Sequence, residues 1–289
     1  MNLNNSFVLN RVFTRNTLLE LMSGEDCAVY QAAIKLCIAD AKRKNNAQII
    51  REIYAFLEKE YRNEYFYKNT LLNKLLLGVH SLNTTTALTE VPIAKSKADF
   101  VLINGKAVVY EIKSDLDNFE RLKSQLADYY KAFSYVSVIT SEDNYVALCR
   151  LLESTPTGIC VLTKRNQISV RKGAEEYMGE LDLDTIFKIL SKAEYETILR
   201  KCIGKLPEVN QFEYYRTCKK WFFSLEVSEA HKRFIQALKM RYQVDSERYH
   251  HVPYELKFLA YFLRFCDQDY LKLEKFLNRT EGELCTSHI

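Results

Sequence analysis

Residues 98–113 read ADFVLINGKAVVYEIK. Two apolar, β-branched runs, 99–103 and 107–113, flank Asn104-Gly105, a dipeptide that favours the tight turn of a β-hairpin. Both runs are apolar on both faces: Phe100, Leu102, Val108, Tyr110 and Ile112 on one, Val101, Ile103, Ala107 and Val109 on the other. Such strands belong in the covered centre of a sheet. The same strands carry Asp99, Glu111 and Lys113. Side chains alternate along a strand, so Glu111 and Lys113 share a face and Ile112 points away. Charges buried there need partners or a metal.

Two carboxylates on adjacent strands suit a hard divalent cation, Mg²⁺ or Mn²⁺, which takes oxygen ligands and keeps several waters. Asp99 and Glu111 are the candidate ligands, with the carbonyl of Ile112 as a further one. Lys113 would orient an attacking water and neutralise a phosphate. A glutamate two positions before a lysine is common on exposed strands, where it makes a weak surface pair; the apolar context favours a buried site. The turn sets a condition. A two-residue loop pairs Ile103 with Lys106 and leaves Asp99 and Glu111 on opposite faces. A three-residue loop with Gly105 in the left-handed position pairs Leu102 with Lys106 and brings them to one face. A shared metal requires the latter, or an equivalent one-residue shift.

Outward from the hairpin, the pattern predicts strands over 86–93, 136–140, 158–163 and 167–171, and a helix over 145–152. A helix over 118–133 has Phe119, Leu122, Leu126, Tyr130 and Phe133 as its apolar stripe, with Asp117 and Glu120 as caps. Earlier, Thr17 and Glu20 form a candidate capping box, 29–41 and the stretch around Ile49, Ile53 and Leu57 read as helices, and another runs over 64–77 to a stop at Gly78. From residue 182 the chain is helical again, with Asp184 and the Ser191–Glu194 pair as caps, Gly204 and Pro207 as stops, later helices over 213–223, 229–242, 254–265 and 271–277, and a frayed tail from 282. The expected organisation is an N-terminal helical region over 1–60, an α/β core over 61–175 and a C-terminal helical region over 176–289.

Composition narrows the class. The apolar fraction of 47% and charged fraction of 27% are globular, and the net charge of +4 neither demands nor excludes nucleic acid. The eight cysteines form no C-x-x-C pair and read as reduced thiols, and the five histidines are too scattered for a zinc site. No run of apolar residues is long enough to span a membrane and the first ten residues do not read as a signal peptide, so the expectation is a cytoplasmic protein with no membrane association.

Ala98-Asp99-Phe100 followed by Tyr110-Glu111-Ile112-Lys113 resembles the D…E-x-K signature of the PD-(D/E)XK nuclease superfamily, with Ala98 where a proline often stands. Gln125 and Tyr129 match a Q-x-x-x-Y pattern similar to that of RecB-type nucleases. The longer run of Glu90, Pro92, Lys97, Asp99, Glu111, Lys113, Asp117, Arg121, Leu122, Gln125 and Tyr129 resembles the bacterial sce-type subfamily, over residues 64–140 with a weaker echo in 183–207. The resemblance implies a restriction-endonuclease-like mixed sheet flanked by helices, a metal-dependent nuclease acting on DNA ahead of RNA, and Asp99, Glu111 and Lys113 as catalytic residues. It also implies an acidic metal partner on the helix before the first strand, for which Glu64 is the candidate and Glu90 the alternative. Gln125, Tyr129 and Arg121 would position substrate, and Lys97 and Asp117 are possible accessories. The competing expectation is a non-catalytic module that keeps this fold to bind nucleic acid or protein, in a defence or mobile-element system. A homo-oligomer or a partner protein fits either.

The C-terminal helices carry Arg216, Lys219, Lys220, Lys232, Arg233, Lys239 and Arg241 among Tyr214, Tyr215, Trp221 and Phe222. That pattern fits a phosphate-tracking surface, but Glu213, Glu226 and Glu229 dilute it and favour a plain solvated face.

Overall fold

A computed structural model describes residues 3–77, 82, 84–115, 117–241 and 246–280. The chain forms two compact units, residues 1–75 with 244–289, and residues 76–243. Three consecutive regions were expected; instead the C-terminal region divides, its last part joining the N-terminal helices.

The first unit begins with α1 (Leu3–Val12), α2 (Arg15–Ser23), α3 (Ala28–Cys37), α4 (Asn46–Glu60) and α5 (Glu64–Leu71), which runs on as a π-helical segment, Leu72–Leu77. Thr14, not Thr17, caps α2, its hydroxyl accepting from the Thr17 amide, while the Thr17 hydroxyl turns to the Arg11 carbonyl. The expected stop at Gly78 and the tail from 282 lie outside the described residues.

The second unit holds β1 (Thr86–Ile93), β2 (Ser96–Asn104), β3 (Lys106–Lys113), α6 (Leu122–Tyr130), β4 (Tyr135–Thr140), α7 (Glu142–Leu152), β5 (Gly158–Leu162), β6 (Ile168–Lys172), α8 (Leu183–Ile189), α9 (Lys192–Ile203), α10 (Gln211–Phe222) and α11 (Val227–Lys239). The strands form one six-stranded sheet in sequence order. β3–β4 and β4–β5 are parallel and the other pairs antiparallel, so the fold is mixed α/β. One apolar cluster joins Val101, Val109 and Val138 of the sheet to Leu126 and Tyr129 of α6 and to Phe187, Phe222 and Phe234 of α8, α10 and α11. Asp182 caps α8 through the Thr185 amide, in place of the expected Asp184. Ser191 and Glu194 cap α9, and Gly204 ends it in the left-handed conformation (φ 86°).

The chain then returns to the first unit as α12 (Ser246–His250), a 3₁₀ turn (Tyr254–Leu256), α13 (Lys257–Leu263) and α14 (Asp267–Asn278). Two buried asparagines show why. Asn46 donates to the carbonyl of Phe276 at 2.9 Å and accepts from the Tyr30 phenol at 2.8 Å. Asn69 donates to the Tyr254 carbonyl and accepts from the Phe258 amide. A buried amide without such partners is costly, so these bonds fix which helices assemble.

The register of the hairpin decides the site. Asn104 pairs with Lys106 across Gly105 alone, and the ladder runs through Ile103–Ala107 and Val101–Val109 to Phe100–Tyr110. Gly105 sits at φ 71°, a conformation open to glycine at little cost. Neither loop considered from sequence forms. The observed shift is one residue the other way, and it has the parity the site needs, setting Asp99 opposite Glu111. On the other side of β2, Thr89 pairs with Phe100 and Val91 with Ala98, so Glu90 stands opposite Asp99. The alternation breaks at this point. Leu88 and Val91, and likewise Ala98 and Val101, enter the same core cluster at a spacing of three instead of two or four. Glu90 takes up the break at φ 55°, and the register is the same on both sides of it, so neither strand carries an extra residue.

Candidate active site

Glu111 is 1% exposed, and both of its oxygens are held. Oε1 accepts from Nε2 of Gln125 at 2.6 Å and from Nζ of Lys113 at 2.9 Å. Oε2 accepts from the phenol of Tyr129 at 2.5 Å. Lys113 also donates to Oε1 of Gln125 at 2.9 Å, which closes a ring of glutamate, lysine and amide. A carboxylate offers about four lone-pair sites, two on each oxygen. Those of Oε1 are taken, and Oε2 keeps one for a further ligand.

α6 supplies this clamp because Gln125 and Tyr129 are one turn apart and share a helix face. The phenol has a second acceptor, the carbonyl of Lys97 at 2.9 Å. One proton cannot serve both, and the shorter, charge-assisted bond to Glu111 takes it. Burial, and then the negative charge of Glu111, push the Tyr129 pKa up, so the phenol stays protonated as a donor. Sequence reasoning gave Gln125 and Tyr129 to substrate; here they hold Glu111.

Asp99 is half-buried. Its Oδ2 accepts from the backbone amide of Ile112 at 2.8 Å, which pins the carboxylate to the strand of Glu111. Glu90 and Asp99 offer carboxylate oxygens within 4.8 Å of one another. Lys97 pairs with Glu90 at 2.8 Å. Three adjacent strands thus present Glu90, Asp99 and Glu111 in a row, against the ammonium groups of Lys97 and Lys113. The excess of carboxylate and the all-oxygen donor set fit a hard divalent cation.

Glu64 opens α5 in the first unit and pairs with Lys68 at 2.5 Å. Arg121 is exposed at the start of α6, and its guanidinium makes no hydrogen bond or ion pair with a described residue. Asp117 does not cap α6; it accepts from the amide and hydroxyl of Ser114 at 2.9 and 2.7 Å and closes the turn after β3. Glu120 caps nothing either, since α6 begins at Leu122 without a side-chain cap.

Asp128 was missed. It is 7% exposed and accepts from the Lys95 amide at 3.2 Å, the Ser96 hydroxyl at 2.8 Å and Nζ of Lys131 at 2.7 Å. Burial opposes its ionisation, but the bonds from Lys131, Ser96 and Lys95 outweigh burial and hold its pKa below the ordinary carboxylate value. Asp128 therefore ties the turn between β1 and β2 to the helix that clamps Glu111. Its neighbour Tyr129 was the only sequence signal.

No described helix is long and apolar enough to cross a membrane, and the described cysteines are free thiols.

Among known proteins, no curated protein matches the chain. A solved structure, the SPO1766 protein of unknown function from Silicibacter pomeroyi, is similar at 13% identity over 44% of this chain and 87% of that one, with a TM-score of 0.28. The family described as bacteriophage P4 protein cII matches residues 57–257, a span that contains Glu90, Asp99, Glu111, Lys113, Gln125 and Tyr129. That match covers well over half of the sequence, and the chain belongs to the bacteriophage P4 cII family.

Proposed function

We propose that this protein is a metal-dependent nuclease that hydrolyses phosphodiester bonds, with DNA as its first substrate and Mg²⁺ or Mn²⁺ as its cofactor. One observation carries the reading: the Asp99 carboxylate is fixed by the Ile112 amide beside Glu111, with Lys113 buried on the same strand face. A pure binding surface has little reason to bury that set together. Asp99, Glu90 and the remaining lone pair of Glu111 Oε2 are the groups that would hold the cation, with the carbonyl of Ile112 as a further ligand. A divalent cation supplies Lewis acidity toward water and phosphate oxygen. Lys113 brings positive charge to the phosphate, and Gln125 fixes its position. Tyr129 keeps Glu111 oriented.

The second reading, a nucleic-acid or protein-binding module in a defence or mobile-element system, draws on a different observation. Gln125, Lys113 and Tyr129 satisfy Glu111 so fully that the cluster is also a sound structural knot. The family's bacteriophage name suits such a setting. Plasmid, single-stranded DNA and RNA incubated with Mg²⁺, Mn²⁺ or a chelator separate the two. Cleavage that the chelator and Asp99→Asn both abolish supports the nuclease. A folded protein that cuts none of these substrates with either metal overturns it.

A further inference from the structure

α10 buries Cys218 and Phe222 against the core and leaves its opposite face to solvent. At about 100° per residue Phe212, Arg216, Lys220 and Phe223 fall on the exposed side together with Glu213, whereas Tyr215 lies beside Phe222 with its ring against Phe187 and Tyr195. Phe212 is 98% exposed, Tyr215 51% and Phe223 44%. A phenylalanine almost wholly in water gives up the stabilisation that burial would return. Two large aromatic residues, Phe212 and Phe223, on one exposed stripe point to a missing partner.

Charge selects the partner. Arg216 and Lys220 lie one turn apart, exposed, with no ion pair to any described residue. Lys219 lies over the Phe223 ring at 5.4 Å and shares Asp184 with Lys188. Glu213, on the same face, turns its carboxylate to the helix start, where it accepts from the Asn210 side-chain amide at 3.2 Å. The face therefore offers flat apolar rings interleaved with unneutralised cations. An apolar protein surface would match the rings but leave Arg216 and Lys220 uncompensated. A single nucleic-acid strand matches both, since its bases stack on rings and its phosphates meet cations.

We propose that this face of α10 binds single-stranded nucleic acid, with Phe212 and Phe223 as stacking platforms and Arg216 and Lys220 as phosphate contacts. The stripe from Phe212 to Phe223 spans ~16 Å at about 1.5 Å per residue, room for several bases. The sequence pattern pointed to Phe222 and Trp221; the fold buries Phe222 and presents Phe212 and Phe223 instead. The proposal rests on nucleic acid being the partner, as in the proposed function, but not on cleavage.

The test is fluorescence anisotropy with a labelled oligothymidylate of about 20 nucleotides, longer than the ~4–16-nucleotide sites of single-strand binders. Chelator is present throughout, so cleavage plays no part. The full chain should bind the single strand more tightly than the same strand annealed to its complement. Phe212→Ala should weaken binding at least about fivefold. Arg216→Gln with Lys220→Gln should reduce the slope of log affinity against log salt by about 1.4. Phe212→Trp should keep the affinity and show quenching of the new indole by the bound strand, which a merely structural role would not give. Unchanged affinity in Phe212→Ala, or absence of single-strand binding by the wild type, overturns the proposal. So does a change in oligomeric state on Phe212→Ala with binding intact, which would assign the face to a second copy. Cleavage by Asp99→Asn, measured separately, reports on the nuclease reading alone.

Discussion

The phenol of Tyr129 meets Oε2 of Glu111 at 2.5 Å, linking the central helix of the second unit to the buried carboxylate of β3. The bond changes what the Q-x-x-x-Y pattern does. Its amide and phenol serve the carboxylate and leave it one lone pair. Tyr129→Phe should therefore cost ~1.5–3 kcal/mol of stability, the range for a hydrogen bond to a charged group. At roughly 2–4 °C per kcal/mol that is a drop of several degrees in a chelator-treated melt. A melt matching wild type would remove the clamp.

Glu111→Gln keeps the shape but weakens a metal ligand, and Lys113→Ala leaves the ligands intact. If the site is catalytic, both should lower cleavage on the order of 10³-fold. They should part in a second measurement. Added Mg²⁺ should raise the melting temperature of wild type and Lys113→Ala, because binding to the folded state stabilises it, but should do so much less in Glu111→Gln and Asp99→Asn. Wild-type cleavage per folded molecule in Glu111→Gln would make the cluster structural.

Glu90 holds φ 55° inside a strand. For a residue with a Cβ that conformation costs roughly 1–2 kcal/mol, of which glycine's extra freedom in the unfolded chain offsets about 0.5–1. Glu90→Gly should then be more stable than Glu90→Ala by about 1 kcal/mol in urea unfolding, although both lose the carboxylate and the exposed pair with Lys97. Both should also bind Mg²⁺ more weakly than wild type. Equal stability of the two variants would deny the strain, and undiminished Mg²⁺ affinity would remove Glu90 from the ligand set.

Gly105 has open space where a Cβ would project, so Gly105→Ala tests conformation alone. The left-handed φ of 71° should cost about 1 kcal/mol. If the turn relaxes to another register, Asp99 and Glu111 leave their shared face, and Mg²⁺ binding should fall further than stability. A variant as stable as wild type would show that the register is not set at this turn.

Asp128→Asn removes a carboxylate whose folded pKa is depressed. The stabilisation it confers is fully present above the unfolded carboxylate pKa, near 3.9, and is lost as pH falls through the lower folded value. The stability gap between wild type and Asp128→Asn should be widest at neutral pH and close as pH falls below the depressed folded value. A gap that persists at low pH would mean that the bonds to Lys95 and Ser96 matter by shape, not charge.

The sequence by itself determined what depends on neighbours along the chain. Alternation put Glu111 and Lys113 on one strand face, the 3.6-residue period put Gln125 and Tyr129 on one helix face, and Asn104-Gly105 marked the hairpin. The Ser191–Glu194 cap was legible for the same reason. Tertiary structure decided the rest. A hairpin slipped by one residue reverses every side chain, and the local signals around Gly105 do not distinguish neighbouring registers. The broken alternation at Glu90, the donors gathered on Glu111 and the anchor from Asp128 to the β1–β2 turn all depend on contacts across the fold. The return of α14 to Asn46 joins residues 230 positions apart. Which aromatic residues of α10 meet water was likewise settled by the side of the helix that the core claimed. Periodicity fixes the faces of an element; only packing fixes where each face points.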